Sequence, residues 1–161
     1  MSETAERPRK VVHVDLDAFF CAVEEQLDPS LRGKAFAVGG QATGRGVISS
    51  ASYNARQRGV RSALPSSRAV QLCPDLILVR GSYHRYGEKS RAVMVVLQEF
   101  SEIIQQISID EAFLDMSEDP RSTREIGADI QRRVNQETGL PCSLGIASNK
   151  LVAKIATDVG K

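Results

Sequence analysis

Tryptophan is absent from this 161-residue chain, and only three tyrosines and five phenylalanines supply its aromatic surface. No run of apolar residues approaches the ~18 needed to cross a bilayer. The N-terminus, MSETAERPRK, is too polar for a secretory leader. The three cysteines, Cys21, Cys73 and Cys142, are widely spaced and form no CxxC pair. A disulfide framework or zinc knuckle is thereby excluded, and a cytoplasmic location without membrane contact is expected. No internal repeat or low-complexity tract appears. The most informative absence is of acidic charge: from Ser30 to Leu72 there is no Asp or Glu at all.

That stretch carries seven cations: Arg32, Lys34, Arg45, Arg56, Arg58, Arg61 and Arg68. The remaining chain holds 14 basic and 20 acidic residues, so a net charge of +1 conceals a basic segment inside an acidic one. A solvated surface normally mixes both signs, and exclusion of carboxylates favours an anionic ligand, either nucleic acid or a polyphosphate. The 42% hydrophobic content and small net charge exclude a disordered chain. A chain of this length makes one domain, or one domain with a small insertion.

Residues 1–10 read as a disordered lead-in. VVHVDL (Val11–Leu16) is a β-branched run and predicts a strand, with Asp17 capping a helix over Ala18–Leu27 that keeps Glu24 and Glu25 on its wetter side. Short strands are expected at Ala35–Val38, Val47–Ser50 and Leu76–Val79, and short helices near Ser52–Arg58 and Pro65–Leu72. Tyr83–Phe100 is the longest predicted helix. Strands follow at Ile103–Ile107 and Ala112–Met116. STRE (Ser122–Glu125) matches a capping box, and Gly139 closes that helix. A strand at Cys142–Ala147 precedes a last helix, opened by Ser148 or Asn149, whose Leu151, Ile155 and Val159 step by four. That helix runs into Lys161, as expected of an N-terminal fragment.

Without residues 30–75 the order is β-α, then β-α-β-β-α-β, then a terminal helix. It predicts an α+β fold: a βαββαβ (ferredoxin-like) sheet with helices on one face, and a small basic lobe inserted.

Two acidic clusters interrupt apolar strands: Asp15 and Asp17 in VVHVDLDAFF, and Asp110 and Glu111 in ISIDEAFLD. A hairpin turn explains the second pair poorly, because Glu is a weak turn residue and no Asn-Gly or Asp-Gly is present. Carboxylates at the ends of adjacent central strands suit hard divalent cations, with phosphate oxygens and water completing the shell. Two such ions ~4 Å apart suit in-line displacement at phosphorus. His13 reads as a structural residue facing away from this site, and His84 gives no signal.

VHVDLDAFFCAVEE, SSASYNARQRGVRSALP, SIDEAFLD and LGIASNKLVAKIATDVGK, in this order, resemble the Y-family DNA polymerases, most closely the DinB (polymerase IV) branch. The resemblance covers residues 11–161. It implies a palm domain over 11–18 and 75–161, a fingers domain over 19–74, and no thumb or little-finger domain. By position, Asp15, Asp110 and Glu111 match the metal ligands, joined by the Leu16 carbonyl. Phe19, Phe20, Tyr53, Arg56 and Lys161 match nucleotide contacts, and Phe20 falls on the steric gate against a ribose 2′-OH. The implied activity is low-fidelity, translesion-type synthesis from dNTP on primer–template DNA with two Mg²⁺ ions, for which Mn²⁺ can substitute. The implied further partner of a full-length protein is a sliding clamp. A fragment so cut is expected to be weakly active or inactive. Two rivals are a palm-fold nucleotide cyclase, which should carry a GG[DE]EF-like hairpin, and a non-catalytic DNA-binding module, which has no need of Asp15, Asp110 and Glu111.

Overall fold

A computed structural model describes residues 7–161. The expected lead-in lies outside the described residues for positions 1–6. Its last residue, Lys10, is tied down: Nζ donates to the carbonyls of Asp119 and Arg121 at 2.6 and 2.7 Å. The chain divides into two units, one of residues up to Asp17 and Lys89–Lys161, the other of Ala18–Glu88.

The first unit is built on a four-stranded sheet ordered β5-β6-β1-β7, from β1 (Val11–Leu16), β5 (Ile104–Gln106), β6 (Glu111–Asp115) and β7 (Cys142–Ala147). Every neighbouring pair is antiparallel, as the βαββαβ order requires. Side chains alternate between the two faces of a strand. Even-numbered Val12, Val14, Ala112 and Leu114 are buried on one face. On that face α5 (Thr123–Thr138) packs so closely that a Cβ at Gly127 would lie 3.0 Å from Leu144 Cδ1. The expected capping box is present: Ser122 Oγ accepts from Glu125 N–H while the Glu125 carboxylate accepts from Ser122 N–H. Gly139, with φ 71°, ends the helix in the left-handed conformation.

The odd-numbered face takes α6 (Lys150–Val159), capped by the Asn149 side chain on Val152 N–H. The helices around this sheet therefore occupy both of its faces. The residues of α6 that pack are Ala153 and Thr157, not the large apolar series. Leu151, Ile155 and Val159 are 70%, 52% and 80% exposed. Gly145 explains the inversion: a Cβ there would sit 2.3 Å from the Ala153 carbonyl oxygen and 2.6 Å from Thr157 N. Only a strand glycine lets the helix backbone come this close, and only small residues fit between.

The second unit carries a three-stranded sheet ordered β3-β2-β4, from β2 (Phe36–Gly39), β3 (Ile48–Ala51) and β4 (Ile77–Val79). β2 pairs antiparallel with β3 and parallel with β4. Ala35, Ala37, Ala51, Ala55 and Ala69 dominate its core, with Ile48, Val60 and Cys73. Around it lie α1 (Phe19–Leu27), α2 (Tyr53–Gln57) and α3 (Ser66–Leu72). The long α4 (Tyr83–Gln98) begins in this unit and ends in the other. All three cysteines are buried and unpaired; burial pushes the Cys21 thiol up to about 11 and Cys142 to about 12. Cys21 and Cys142 are thus poor thiolates at neutral pH. Among the described residues no helix is long and apolar enough to cross a membrane.

Substituting Gly145→Ala should force α6 away from the sheet and lower stability by about 3 kcal/mol, readable as a reduced urea midpoint. An unchanged midpoint would show that the close approach is not required.

Candidate active site

The register of β1 against β6 sets Asp15 directly opposite Glu111 and His13 opposite Phe113. Asp15, Glu111, His13 and Phe113 share the face covered by α6. At the end of this ladder the Leu16 N–H donates to the Asp110 carbonyl at 3.0 Å, joining the strand end to the turn before β6. Within that turn Ser108 Oγ donates to Asp110 Oδ1 at 2.7 Å. Both Ile107 N–H and Ser108 N–H point to the Glu111 carbonyl. The Asp110–Glu111 pair is held in a connection whose backbone turns, so adjacent residues need not face apart.

Three carboxylates this near one another repel. Burial, followed by the charges of Asp110 and Glu111, raises the Asp15 carboxyl above its usual value, despite the ammonium of Lys161 at 2.9 Å. Burial also works against the Glu111 charge. There the Lys154 hydrogen bond at 2.8 Å and the charges of Lys154 and His13 prevail, and Glu111 stays below the usual carboxylate range. Both lysines belong to the α6 segment, and both hold their protons more tightly as a result. Lys161 thus rests on Asp15, and 3.8 Å from Asp158.

The donor set is all hard oxygen, the chemistry that Mg²⁺ or Mn²⁺ takes, and two ammonium groups already mark where positive charge is favoured. Among the described residues no three metal-ligating side chains converge to hold an ion as they stand. One oxygen of each carboxylate is engaged instead: Asp15 Oδ2 by Lys161, Asp110 Oδ1 by Ser108, Glu111 Oε1 by Lys154. In ligand type and strand placement these residues fit a divalent ion.

Asp17 does not cap α1. Its Oδ1 accepts from Ser143 Oγ at 2.6 Å, and its N–H donates to the Pro141 carbonyl. The cap position falls to Ala18, which lies in the left-handed region at φ 42° without a side-chain cap. This is a non-glycine residue in a conformation that costs strain, directly after the acidic strand end.

Phe19, Phe20, Tyr53 and Arg56 lie in the second unit. Phe20 stacks on Tyr86 with centroids 4.2 Å apart and meets Tyr83 edge-on at 5.9 Å. Phe19 completes the cluster against Phe20 and Tyr86. Glu24, expected on the wet side, is buried and accepts from Tyr86 OH at 2.5 Å and Ser82 N–H at 2.9 Å. Its hydrogen-bond partners lie about 60 residues away, so helical spacing could not reveal them. Tyr53 is exposed at the start of α2, with the Arg56 guanidinium 5.5 Å from its ring and Arg56 Nε on the Ala51 carbonyl. All seven cations of the acid-free stretch are exposed. A cleft of about 760 Å³ beside Val11, Ile104, Phe113 and Lys150 contains none of the three carboxylates.

Sequence reasoning missed Lys154 and His13. His13 does not face away: it is fully buried with Nε2 3.2 Å from Glu111 Oε1. The signal was present, because residues two apart on a strand share a face and His13 stands two before Asp15.

The impB/mucB/samB family model matches residues 14–158 of this chain. The chain belongs to that family, the Y-family domain. Among curated relatives, DNA polymerase IV of Alkalilimnicola ehrlichii is 42% identical over 156 residues, covering 95% of this chain and 44% of the relative. DNA polymerase IV of Pseudomonas paraeruginosa is 46% identical over 153 residues, covering 93% and 44%. Of solved structures, an insertion ternary complex of Dbh DNA polymerase matches with a TM-score of 0.86 at 33% identity, and DinB from Sulfolobus solfataricus with 0.87 at 32%. Each match covers 94% of this chain and 46% of the other. The chain therefore spans less than half the length of the relatives it matches.

Because burial raises the folded Asp15 carboxyl above its ordinary 3.8, its charge opposes folding at neutral pH and ceases to do so as the pH falls below 3.8. Asp15→Asn should melt higher at pH 7, by roughly 2–4 °C for each kcal/mol relieved, with the gain gone near pH 3. A lower melting temperature at pH 7 would mean that the Lys161 pair outweighs burial.

Proposed function

We propose that this chain is the palm-and-fingers part of a template-directed DNA polymerase of the translesion type, adding dNTP to a primer 3′-OH with release of pyrophosphate. The observation that carries the reading is Asp15 standing opposite Glu111 with Asp110 hydrogen-bonded into the same strand end, in a chain of this family. The unit of residues up to Asp17 and Lys89–Lys161 is read as palm and the basic unit Ala18–Glu88 as fingers. These bounds differ from the expected 11–18 with 75–161 and 19–74, because β4 pairs with β2 in the basic unit.

Asp15, Asp110, Glu111 and the Leu16 carbonyl would hold Mg²⁺, or Mn²⁺ in its place, and an ion so held would supply acidification of the attacking hydroxyl and neutralisation of phosphate charge. Lys161 and Arg56 supply cations for triphosphate oxygens, and Tyr53 a hydroxyl donor. The backbone N–H groups at Phe19 and Phe20 open α1, where anions are favoured. Phe20, braced flat against Tyr86, meets the sugar, and a ribose 2′-OH is excluded by the ring's bulk. Primer–template DNA is the macromolecular partner, a sliding clamp a further partner of the whole protein, and the cytoplasm its location.

In primer extension by the protein that carries these residues, Asp110→Ala or Glu111→Ala should lower kcat by roughly a thousandfold or more while unfolding remains cooperative. Retained extension would remove the assigned role. Phe20→Val should raise ribonucleotide incorporation relative to dNTP by at least about tenfold, read as a ratio of kcat/KM values. An unchanged ratio would remove the gate.

A further inference from the structure

His13 is a fully buried imidazole on the central strand of the acidic sheet, and both of its ring nitrogens are engaged. Nε2 lies 3.2 Å from Glu111 Oε1, and Nδ1 lies 2.8 Å from Thr157 Oγ1 of α6. The Thr157 hydroxyl also meets the Ala153 carbonyl at 3.0 Å and the His13 carbonyl at 3.3 Å. Thr157 is itself fully buried, and the Phe113 ring packs against the imidazole at 4.9 Å. The imidazole is thus fixed on three sides: by its own strand, by β6 and by α6.

The direction of the hydrogen bonds follows from donor chemistry. An ionised carboxylate only accepts, so the bond to Glu111 requires the proton on Nε2, and Nδ1 then meets the threonine hydroxyl. Lys154 Nζ donates to the same Oε1 at 2.8 Å. Among the described residues both donors fall on Oε1. The carboxylate is gripped by one oxygen, and the other is oriented by default.

We infer that His13, held by Thr157, is a positioning residue that sets the Glu111 carboxylate for divalent-cation binding. The inference rests on the reading of Glu111 as a metal ligand. Lys154 alone would not fix Glu111, since it is a flexible, half-exposed side chain. The buried imidazole has one orientation, and partners of this kind that orient a ligating side chain typically alter metal affinity by about 10–100-fold.

The test is Mn²⁺ binding to the 161-residue chain, followed by the loss of the free-ion electron paramagnetic resonance signal, with Glu111→Gln as reference. His13→Phe keeps a ring in the strand but removes both nitrogens, and should weaken Mn²⁺ binding by about tenfold or more. His13→Gln, whose amide can donate to Glu111, should recover part of the loss. Thr157→Val should weaken binding by a smaller factor by freeing Nδ1. Long-range ¹H–¹⁵N spectra of the unmodified chain should show the proton on Nε2, a signature that does not depend on metal. A role confined to packing predicts lower melting temperatures with unchanged Kd, and that result overturns the inference. If His13→Phe does not fold, His13→Gln and Thr157→Val decide it: both binding as tightly as the unmodified chain, with Glu111→Gln weakened, leaves the ligand reading standing and removes His13. If Glu111→Gln binds unchanged, or the unmodified chain binds no Mn²⁺, the ligand reading falls and takes the inference with it.

Discussion

The pairing register of β1 with β6 governs the chemistry of this molecule. Val12, Val14 and Leu16 alternate with His13 and Asp15 on one strand, as Ala112 and Leu114 do with Glu111 and Phe113 on its neighbour. Burying the even-numbered side chains is worth about 1.5–3 kcal/mol for each large one. A slip of one residue would exchange the faces and drive Asp15 and His13 into the apolar layer beneath α5. Hydrophobic burial on one face therefore places the carboxylates on the other. The acidic residues need no attraction of their own to meet, which is fortunate, because they repel.

That repulsion accounts for the composition of the α6 segment. The face with the carboxylates is covered by a helix whose contact residues are Ala153 and Thr157, while Lys154 and Lys161 reach Glu111 and Asp15. Lys154 stands on α6 and Lys161 just beyond its last residue, Val159, and both extend to the acids. Close docking over Gly145 brings a short hydroxyl to His13 and two long ammonium arms to the acids. The large apolar residues Leu151, Ile155 and Val159 are left outside by the same geometry.

Much of this was legible in the residues themselves. The capping box at Ser122, the left-handed Gly139 and the β-branched Val11–Leu16 run each have a local cause, so local reading found them. Asp15, Asp110 and Glu111 were legible because charge inside apolar strands needs a reason. Other features depend on partners distant in the chain. Glu24 is buried because Tyr86 and Ser82 satisfy it, and Asp17 abandons the helix cap because Ser143 and the Pro141 carbonyl take it up. The packing face of α6 is decided by Gly145, which lies on a strand, so helical spacing alone could not show it. An apolar series at helical spacing shows which residues are alike; what the neighbouring backbone allows decides which of them pack.

The same site shows why its stability and its chemistry pull in opposite directions. An isolated buried carboxylate is costly, and here Lys161 leans on Asp15 while burial still holds its carboxyl above the usual value. Replacing these acids with apolar residues would relieve the repulsion, but would leave His13 Nε2 and Lys154 facing nothing they can donate to. The arrangement is therefore self-consistent only as a set. The acids justify the lysines, the imidazole gives one acid a fixed direction, and the charge still unsatisfied after both is what a divalent cation would meet. A cluster neutralised completely by its own side chains would have no remaining affinity for metal; one with no lysines would be harder to fold. Two ammonium groups against three carboxylates lies between those limits.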